Sequence, residues 1–279
     1  MDLPYRIIFD APGRLCNRFW SILDLLAWAL VKNRKIIILL WNKDFAYYPQ
    51  LLHSKYVVAP TAWGGQFSVI NNILGSRLLR GIYKLPTSRQ LGLVQGWQHR
   101  ADSRYYPEVM EAIRMMFRPD EQIIKQVDSL LLNYLENGNR IVGVHIRRGD
   151  YKEWQNGRYY YEIEDYIEIM RQIEGLYGQG KTVFYIASDE QFCTNDFAGF
   201  RLVNDSQNST AVDLYALTKC YRIIGPLSTF SRWASLVGGV PLRFVEKGDV
   251  ITSDDEFSVI KDFYHFEDGR EILNLSDRN

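Results

Sequence analysis

RIVGVHIRRGDY, residues 140–151, decides how this chain is read. Arg140 to Ile146 is an apolar run of the length and bulk of a buried strand. Two adjacent arginines, a glycine and an aspartate follow it at once. A turn of this kind is either an ordinary polar exit from a strand, with Arg147 and Arg148 paired to Asp150 or a neighbouring acid, or a site that grips an anion.

Working outward, the same alternation of short apolar runs and helical periods appears on both sides. Tyr5 to Phe9 reads as a buried strand and Asp10-Ala11-Pro12-Gly13 breaks it. Phe19, Ile22, Leu23, Leu26 and Leu30 then recur at helical spacing, and Lys35 to Leu40 is a second strand. This β-α-β opening predicts a parallel sheet with right-handed crossovers. Residues 45 to 100 are irregular and rich in Gly, Tyr and Trp. Pro107 to Phe117 and Asp120 to Leu135 read as helices. Glu136-Asn137-Gly138-Asn139 is a turn cluster and the expected domain boundary. Beyond it the pattern restarts: strands at 140–146, 182–187, 200–204, 222–225 and 242–246, and helices marked by Ile163 to Ile173, Thr210 to Cys220 and Phe230 to Leu236. The expected architecture is α/β, with two Rossmann-like domains facing a cleft, residues 1–137 and 138–279.

Composition narrows the function. Lys+Arg and Asp+Glu are both 33 in 279 residues, so the net charge is zero and broad binding to nucleic acid or anionic lipid is not expected. Three widely spaced cysteines, Cys16, Cys193 and Cys220, form neither a disulfide framework nor a zinc cluster and fit a reducing compartment. MDLPYRIIFD shows no basic stretch leading into a long apolar one, and the apolar stretch Phe19 to Leu30 is too short to span a bilayer. The expected location is the cytoplasm.

In open parallel sheets ligands bind beyond the carboxyl ends of the strands, so the residues there carry the functional reading. They are Gly13-Arg14-Leu15-Cys16-Asn17-Arg18, Arg147-Arg148-Gly149-Asp150, Ser188-Asp189-Glu190 and Pro226-Leu227-Ser228-Thr229-Phe230-Ser231. Arginine offers a planar, permanently charged fork that suits a pyrophosphate. Ser228 and Thr229 open a helix, where backbone N–H groups and hydroxyls hold phosphate, or serve only as caps. Asp189 or Glu190 can accept from guanine N1–H and N2–H, and Ser188-Asp189 is also a cap pattern. His145 suits a satisfied core histidine as well as a ligand. The chain has neither GxGxxG nor GxxxxGK[ST], and no two aspartates stand one residue apart as a metal-holding DxD. His53, His99, His145 and His265 are scattered. No metal is expected, and the arginines then supply the positive charge for a leaving diphosphate.

His145-Ile146-Arg147-Arg148-Gly149-Asp150-Tyr151 resembles the H-x-R-R-x-D motif of the α-1,2-fucosyltransferases, glycosyltransferase family 11, shared more loosely with α-1,6- and protein O-fucosyltransferases. Gly13 to Arg18 resembles that family's GRLGNQ, and Gly96-Trp97-Gln98 its GYWQS. Phe184 to Asp189 resembles its F-x-x-x-SD, and Asp213-Leu214-Tyr215 through Ser228-Thr229-Phe230-Ser231-Arg232-Trp233 its D-L-x-x-M…STFSWW. The resemblance implies a GT-B-like fold, GDP-β-L-fucose as donor, a galactose-containing oligosaccharide or glycan acceptor, no metal or other cofactor, and inversion to an α-fucoside. It places Arg147 and Arg148 on the diphosphate, His145, Ser188, Asp189 and Glu190 on the nucleotide, Ser228, Thr229 and Phe230 on phosphate and fucose, and Arg14 and Asn17 across the cleft on the acceptor side. Asp10 and Asp150 are the candidate general bases, with Asp150 alternatively orienting Arg147. Synthesis of bacterial surface polysaccharide, with peripheral membrane association through a lipid-linked acceptor, completes the expectation. Cys16, Arg18 and Arg232 depart from the family pattern, near the expected cleft. Use of another nucleotide sugar, or a catalytically inactive nucleotide-sugar- or glycan-binding relative, are the competing readings.

Overall fold

The computed structural model describes residues 3–10, 12–39, 43–59, 91–99 and 103–263. Expectations for 60–90 and for His265 fall outside the described residues. The described residues divide into two compact units, one up to Asp120 and one from Glu121 onward.

In the first unit β1 (Tyr5–Ile8) leads into α1 (Leu15–Lys32), then β2 (Lys35–Ile38), a short α2 (Pro49–Leu52), β3 (Val57–Val58), β4 (Leu93–Val94), α3 (Gly96–His99) and α4 (Tyr106–Met116). The strands pair in the order β3-β2-β1-β4, and all are parallel. Helix α1 ends where Asn33 turns left-handed, φ 49°, a conformation asparagine tolerates, and Arg34 donates its N–H back to the Ala29 carbonyl at 2.8 Å. Phe19 on its inner face meets the rings of Phe45, Tyr48 and Phe117 edge-on at 4.9–5.1 Å, the geometry the ring quadrupoles favour.

The second unit holds α5 (Glu121–Glu136), β5 (Arg140–Ile146), α6 (Ile163–Tyr177), β6 (Thr182–Ser188), α7 (Thr210–Leu217), β7 (Arg222–Gly225), α8 (Thr229–Gly238) and β8 (Leu242–Phe244). Its sheet is also all parallel, in the order β6-β5-β7-β8. Both faces are covered, so β5 and β6 are buried along almost their whole length. Alternation sorts the side chains: Val142, Val144, Ile146, Phe184, Ile186 and Ile224 pack with Tyr166, Ile169, Met170 and Ile173 of α6 in one core. Each aliphatic side chain so buried is worth roughly 1.5–3 kcal/mol. The opposite face takes α7, with Tyr185 reaching Asp213.

The helix Glu121–Glu136 groups with the second unit, whereas the turn cluster after it suggested a division at 137/138. It buries Ile123, Ile124, Val127 and Leu131, and it packs on α7 and β5. The strand expected at 200–204 is absent as a strand. Arg201 and Val203 bond Phe184 through backbone at 2.8 Å, but Ile186 is met by the side-chain amide of Asn204, which accepts at 2.9 Å and donates at 2.8 Å. A side chain thus completes the β6 edge where the backbone turns away. No helix among the described residues is long and apolar enough to cross a membrane.

Candidate active site

In the order β6-β5-β7-β8 the chain leaves β5 toward one side of the sheet and reaches β7 on the other, so the topological switch point lies between β5 and β7. The loop after β5 carries Arg147 and Arg148, and the loop after β7 carries Ser228 and the start of α8. The two ends touch: the His145 and Phe230 rings stand 5.0 Å apart. That approach needs Gly225, where a Cβ would lie 2.7 Å from the His145 carbonyl oxygen.

Arg147 lies mostly under cover, and one terminal nitrogen donates to Asp150 Oδ2 at 2.8 Å and stands 2.7 Å from Oδ1 in the same ion pair. Its Nε stands 3.4 Å from Asp189 Oδ2. Arg148 uses its NH2 nitrogen for the Tyr160 hydroxyl at 2.7 Å and for Glu162 at 2.9 Å, with Glu190 3.7 Å from its Nε. Asp189 organises the loop through the backbone: its Oδ1 accepts from Arg148 N at 2.9 Å and from Gly149 N at 3.4 Å. Gly149 permits this, since a Cβ there would sit 2.9 Å from Asp189 Oδ2. Asp189 thus engages the arginine loop through both of its oxygens.

Three buried nitrogens at the end of β5 make no hydrogen bond among the described residues: His145 Nδ1, Arg147 Nε, which faces Asp189 as an ion pair at 3.4 Å, and Arg148 Nε, which faces Glu190 at 3.7 Å. A buried polar atom left without a hydrogen bond costs on the order of 1–3 kcal/mol, and the gathering of three at one strand end, two of them cationic, marks a place suited to an anionic ligand. Burial pulls the His145 imidazole down to about 3, and the Arg147 charge acts in the same direction. The ring is neutral at physiological pH and contributes a hydrogen bond, not a charge. Opposite, Ser228 caps α8 by accepting from Phe230 N at 3.2 Å, and the ten-residue helix brings the positive end of its dipole to the same spot. Ser188 is buried and accepts from Glu190 N at 3.1 Å, the cap-like turn the sequence allowed.

Arg147, Arg148, Asp150, His145, Ser188, Asp189, Glu190, Ser228, Thr229 and Phe230 thus all stand around the carboxyl end of one sheet. Arg14 and Asn17 belong to the first unit, at the start of α1, with Arg14 as its exposed N-terminal flanking residue. Asp10 accepts through its two oxygens from Gly96 N and Trp97 N, each at 2.8 Å, at the start of α3. Of the departures from the motifs, Cys16 and Arg232 are buried rather than lining a surface. Arg232 donates to the Phe263 carbonyl at 2.5 Å and lies over the Phe244 and Phe263 rings. Sequence reading missed Tyr160 and Glu162 as partners of Arg148. The Tyr159-Tyr160-Tyr161 run and the Glu162…Asp165 capping pair were the available signals. No three His, Cys, Asp or Glu side chains gather as metal ligands among the described residues.

Beneath the β6 end, Asp213 accepts from the Tyr185 hydroxyl at 2.7 Å, and burial pushes its carboxyl up to about 7 against the hydrogen bonds it receives. In the unfolded chain the carboxyl titrates at its ordinary value of 3.8. Between those values the unfolded chain ionises and the folded one does not, so stability contributed at acid pH is lost as pH rises toward neutrality. Asp213→Asn removes this dependence. Melting temperatures at about pH 4 and about pH 8 should therefore shift in favour of the variant at the higher pH; a wild-type-minus-variant difference independent of pH would contradict it.

The family model for glycosyl transferase family 11 matches residues 99–265, which include every site residue of the second unit. The O-antigen biosynthesis glycosyltransferase WbnK of Escherichia coli is 33% identical over 108 residues, 36% of this chain, and the chain spans 35% of that relative's length. Among solved structures, POFUT1 in complex with GDP-fucose aligns over 86% of this chain and 97% of that one, with a TM-score of 0.53 at 12% identity. POFUT1 in complex with GDP aligns over 88% and 98%, with a TM-score of 0.52 at 14% identity. At such identities the likeness is one of fold, α/β and GT-B-like.

Proposed function

The chain belongs to glycosyl transferase family 11, and we propose that it is an inverting fucosyltransferase, moving L-fucose from GDP-β-L-fucose to a galactose hydroxyl of a glycan acceptor in α-1,2 linkage. The observation that carries the reading is the set of buried nitrogens on His145, Arg147 and Arg148 that make no hydrogen bond among the described residues, opposite the α8 N-terminus. The GDP-fucose complex of POFUT1, a protein of the same fold, supports the choice of donor.

As the bond from fucose C1 to the β-phosphate oxygen breaks, the galactose hydroxyl oxygen bonds to C1 from the opposite face and gives up its proton to solvent, and negative charge grows on the leaving diphosphate. The Arg147 and Arg148 guanidiniums and the α8 dipole, fixed in advance, stabilise that charge, so the reaction needs no metal. Neutral His145 adds one hydrogen bond, and Ser228 and Phe230 line the phosphate and the sugar. Asp150, bound to Arg147 through both oxygens, orients that arginine. With Asp189 engaged by the loop, Glu190 is the carboxylate placed for guanine.

The test is transfer from GDP-β-L-fucose to lactose in the presence of EDTA, with GDP-mannose and UDP-galactose as alternative donors. A product fucosylated in α linkage at galactose C2, formed only from GDP-β-L-fucose and at the same rate with EDTA, is expected. Transfer only from another donor, or abolition by EDTA, contradicts the reading. GDP binding without transfer to any galactoside indicates an inactive relative.

A further inference from the structure

We infer that Tyr160 is a positioning residue for Arg148, its phenol fixing the guanidinium in the orientation that meets the diphosphate; this rests on the function proposed above. The hydroxyl accepts from Arg148 NH2 at 2.7 Å, and the guanidinium carbon lies 5.1 Å from the centre of the Tyr160 ring. Glu162 takes the same nitrogen at 2.9 Å. Tyr160 by a hydrogen bond and Glu162 by an ion pair thus both engage this one nitrogen. What is left is NH1 and Nε, and Nε has no hydrogen-bond partner among the described residues. The side chain is held at NH2 and keeps NH1 and Nε, the latter with Glu190 3.7 Å away, to meet a ligand.

The segment that delivers Tyr160 is built rather than incidental. Tyr151 donates its hydroxyl to the Leu227 carbonyl at 2.5 Å, tying the loop after β5 to the loop after β7. The Trp154 ring stands between Tyr151 and Tyr159, with centroids 4.8 and 5.3 Å away. Gln155, Asn156 and Gly157 are successively left-handed, φ 47°, 57° and 74°, and turn the chain back on itself. Tyr160 comes three residues after Gly157, its N–H bonded to the Gly157 carbonyl at 3.0 Å. An aromatic stack pinned at Leu227 thus sets the place of one phenol against one arginine. Glu162 is half-exposed and solvent weakens its hold. The neutral phenol, adjoining the stack, is the arm that sets direction.

The experiment is calorimetric titration of the full chain with GDP and with GMP, for wild type, Tyr160→Phe, Arg148→Ala and the double variant, with melting temperatures alongside. Phenylalanine keeps the ring and removes only the hydroxyl. The preference for GDP over GMP should fall about tenfold in Tyr160→Phe, the size of one hydrogen bond to a charged group, while GMP affinity and melting temperature stay as in wild type. In the Arg148→Ala background the same substitution should change nothing, because its effect runs through that arginine. Equal weakening toward GDP and GMP, an undiminished preference, or an additive effect in the double variant overturns the positioning role. Absence of GDP binding by the wild type overturns the proposed function itself, a result distinct from a wild type that prefers GDP and a Tyr160→Phe variant that does so equally.

Discussion

Arg148→Ala is expected to abolish transfer while the chain remains folded. Its guanidinium supplies preorganised charge where the leaving diphosphate develops its own, and removing one such donor costs on the order of a hundred- to a thousandfold in rate. The stability loss is small by comparison. Its carboxylate partners Glu162 and Glu190 are half-exposed, and pairs of that kind contribute about 1 kcal/mol or less. Arg148→Lys should recover little, since an ammonium cannot keep the contacts to Tyr160 and Glu162 and still offer donors elsewhere. Initial rates with GDP-β-L-fucose, read beside melting temperatures, check this. Near-wild-type turnover in the alanine variant would remove Arg148 from the site.

Asp189→Ala is expected to weaken every guanine nucleotide diphosphate and to lower the melting temperature as well. The carboxylate accepts from Arg148 N and Gly149 N, and it lies 3.4 Å from Arg147 Nε. Losing it leaves backbone donors without an acceptor, at about 1–3 kcal/mol for each that is buried. It also releases the loop that aims both arginines, so GDP affinity should drop on the order of a hundredfold. Asp189→Asn keeps an oxygen for Arg148 N and should hold most of the stability while losing the charge facing Arg147. The two roles open to Asp189 separate cleanly. If it shapes the loop, GDP, IDP and ADP weaken together and base selectivity is kept. If it reads guanine, GDP alone weakens and selectivity over ADP collapses.

The parts of the fold legible in the sequence were those with long, uniform patterns. The run 140–146 is apolar because both faces of β5 are covered, and α1 and α6 show their inner faces at helical spacing. The polar strand ends were legible too, because charge directly after a buried strand is costly unless it serves a purpose. Less was visible where tertiary contacts decide. Asn204 replaces backbone with a side-chain amide, which propensity does not encode. Asp10 looks like a free carboxylate after a strand until the four-residue helix that it caps is in place. The turn at 136–139 has the composition of a linker, yet the helix before it packs on the sheet after it. Arg232 stands where a motif residue was expected, and burial against Phe263 takes it into the core. Asp189 was expected among the nucleotide ligands, but its bonds to the backbone of Arg148 and Gly149 depend on the register of β5 against β6.

The most direct test of the anion grip at the end of β5 is calorimetric titration with GDP in the presence of EDTA, with UDP, ADP and CMP as controls, on wild type and Arg148→Ala. The account predicts binding selective for GDP, indifferent to EDTA and weakened about tenfold or more in the variant. Binding of no nucleotide by the folded wild type, or equal binding by Arg148→Ala, would contradict it and leave the two arginines as structural partners of Asp150, Asp189 and Glu162.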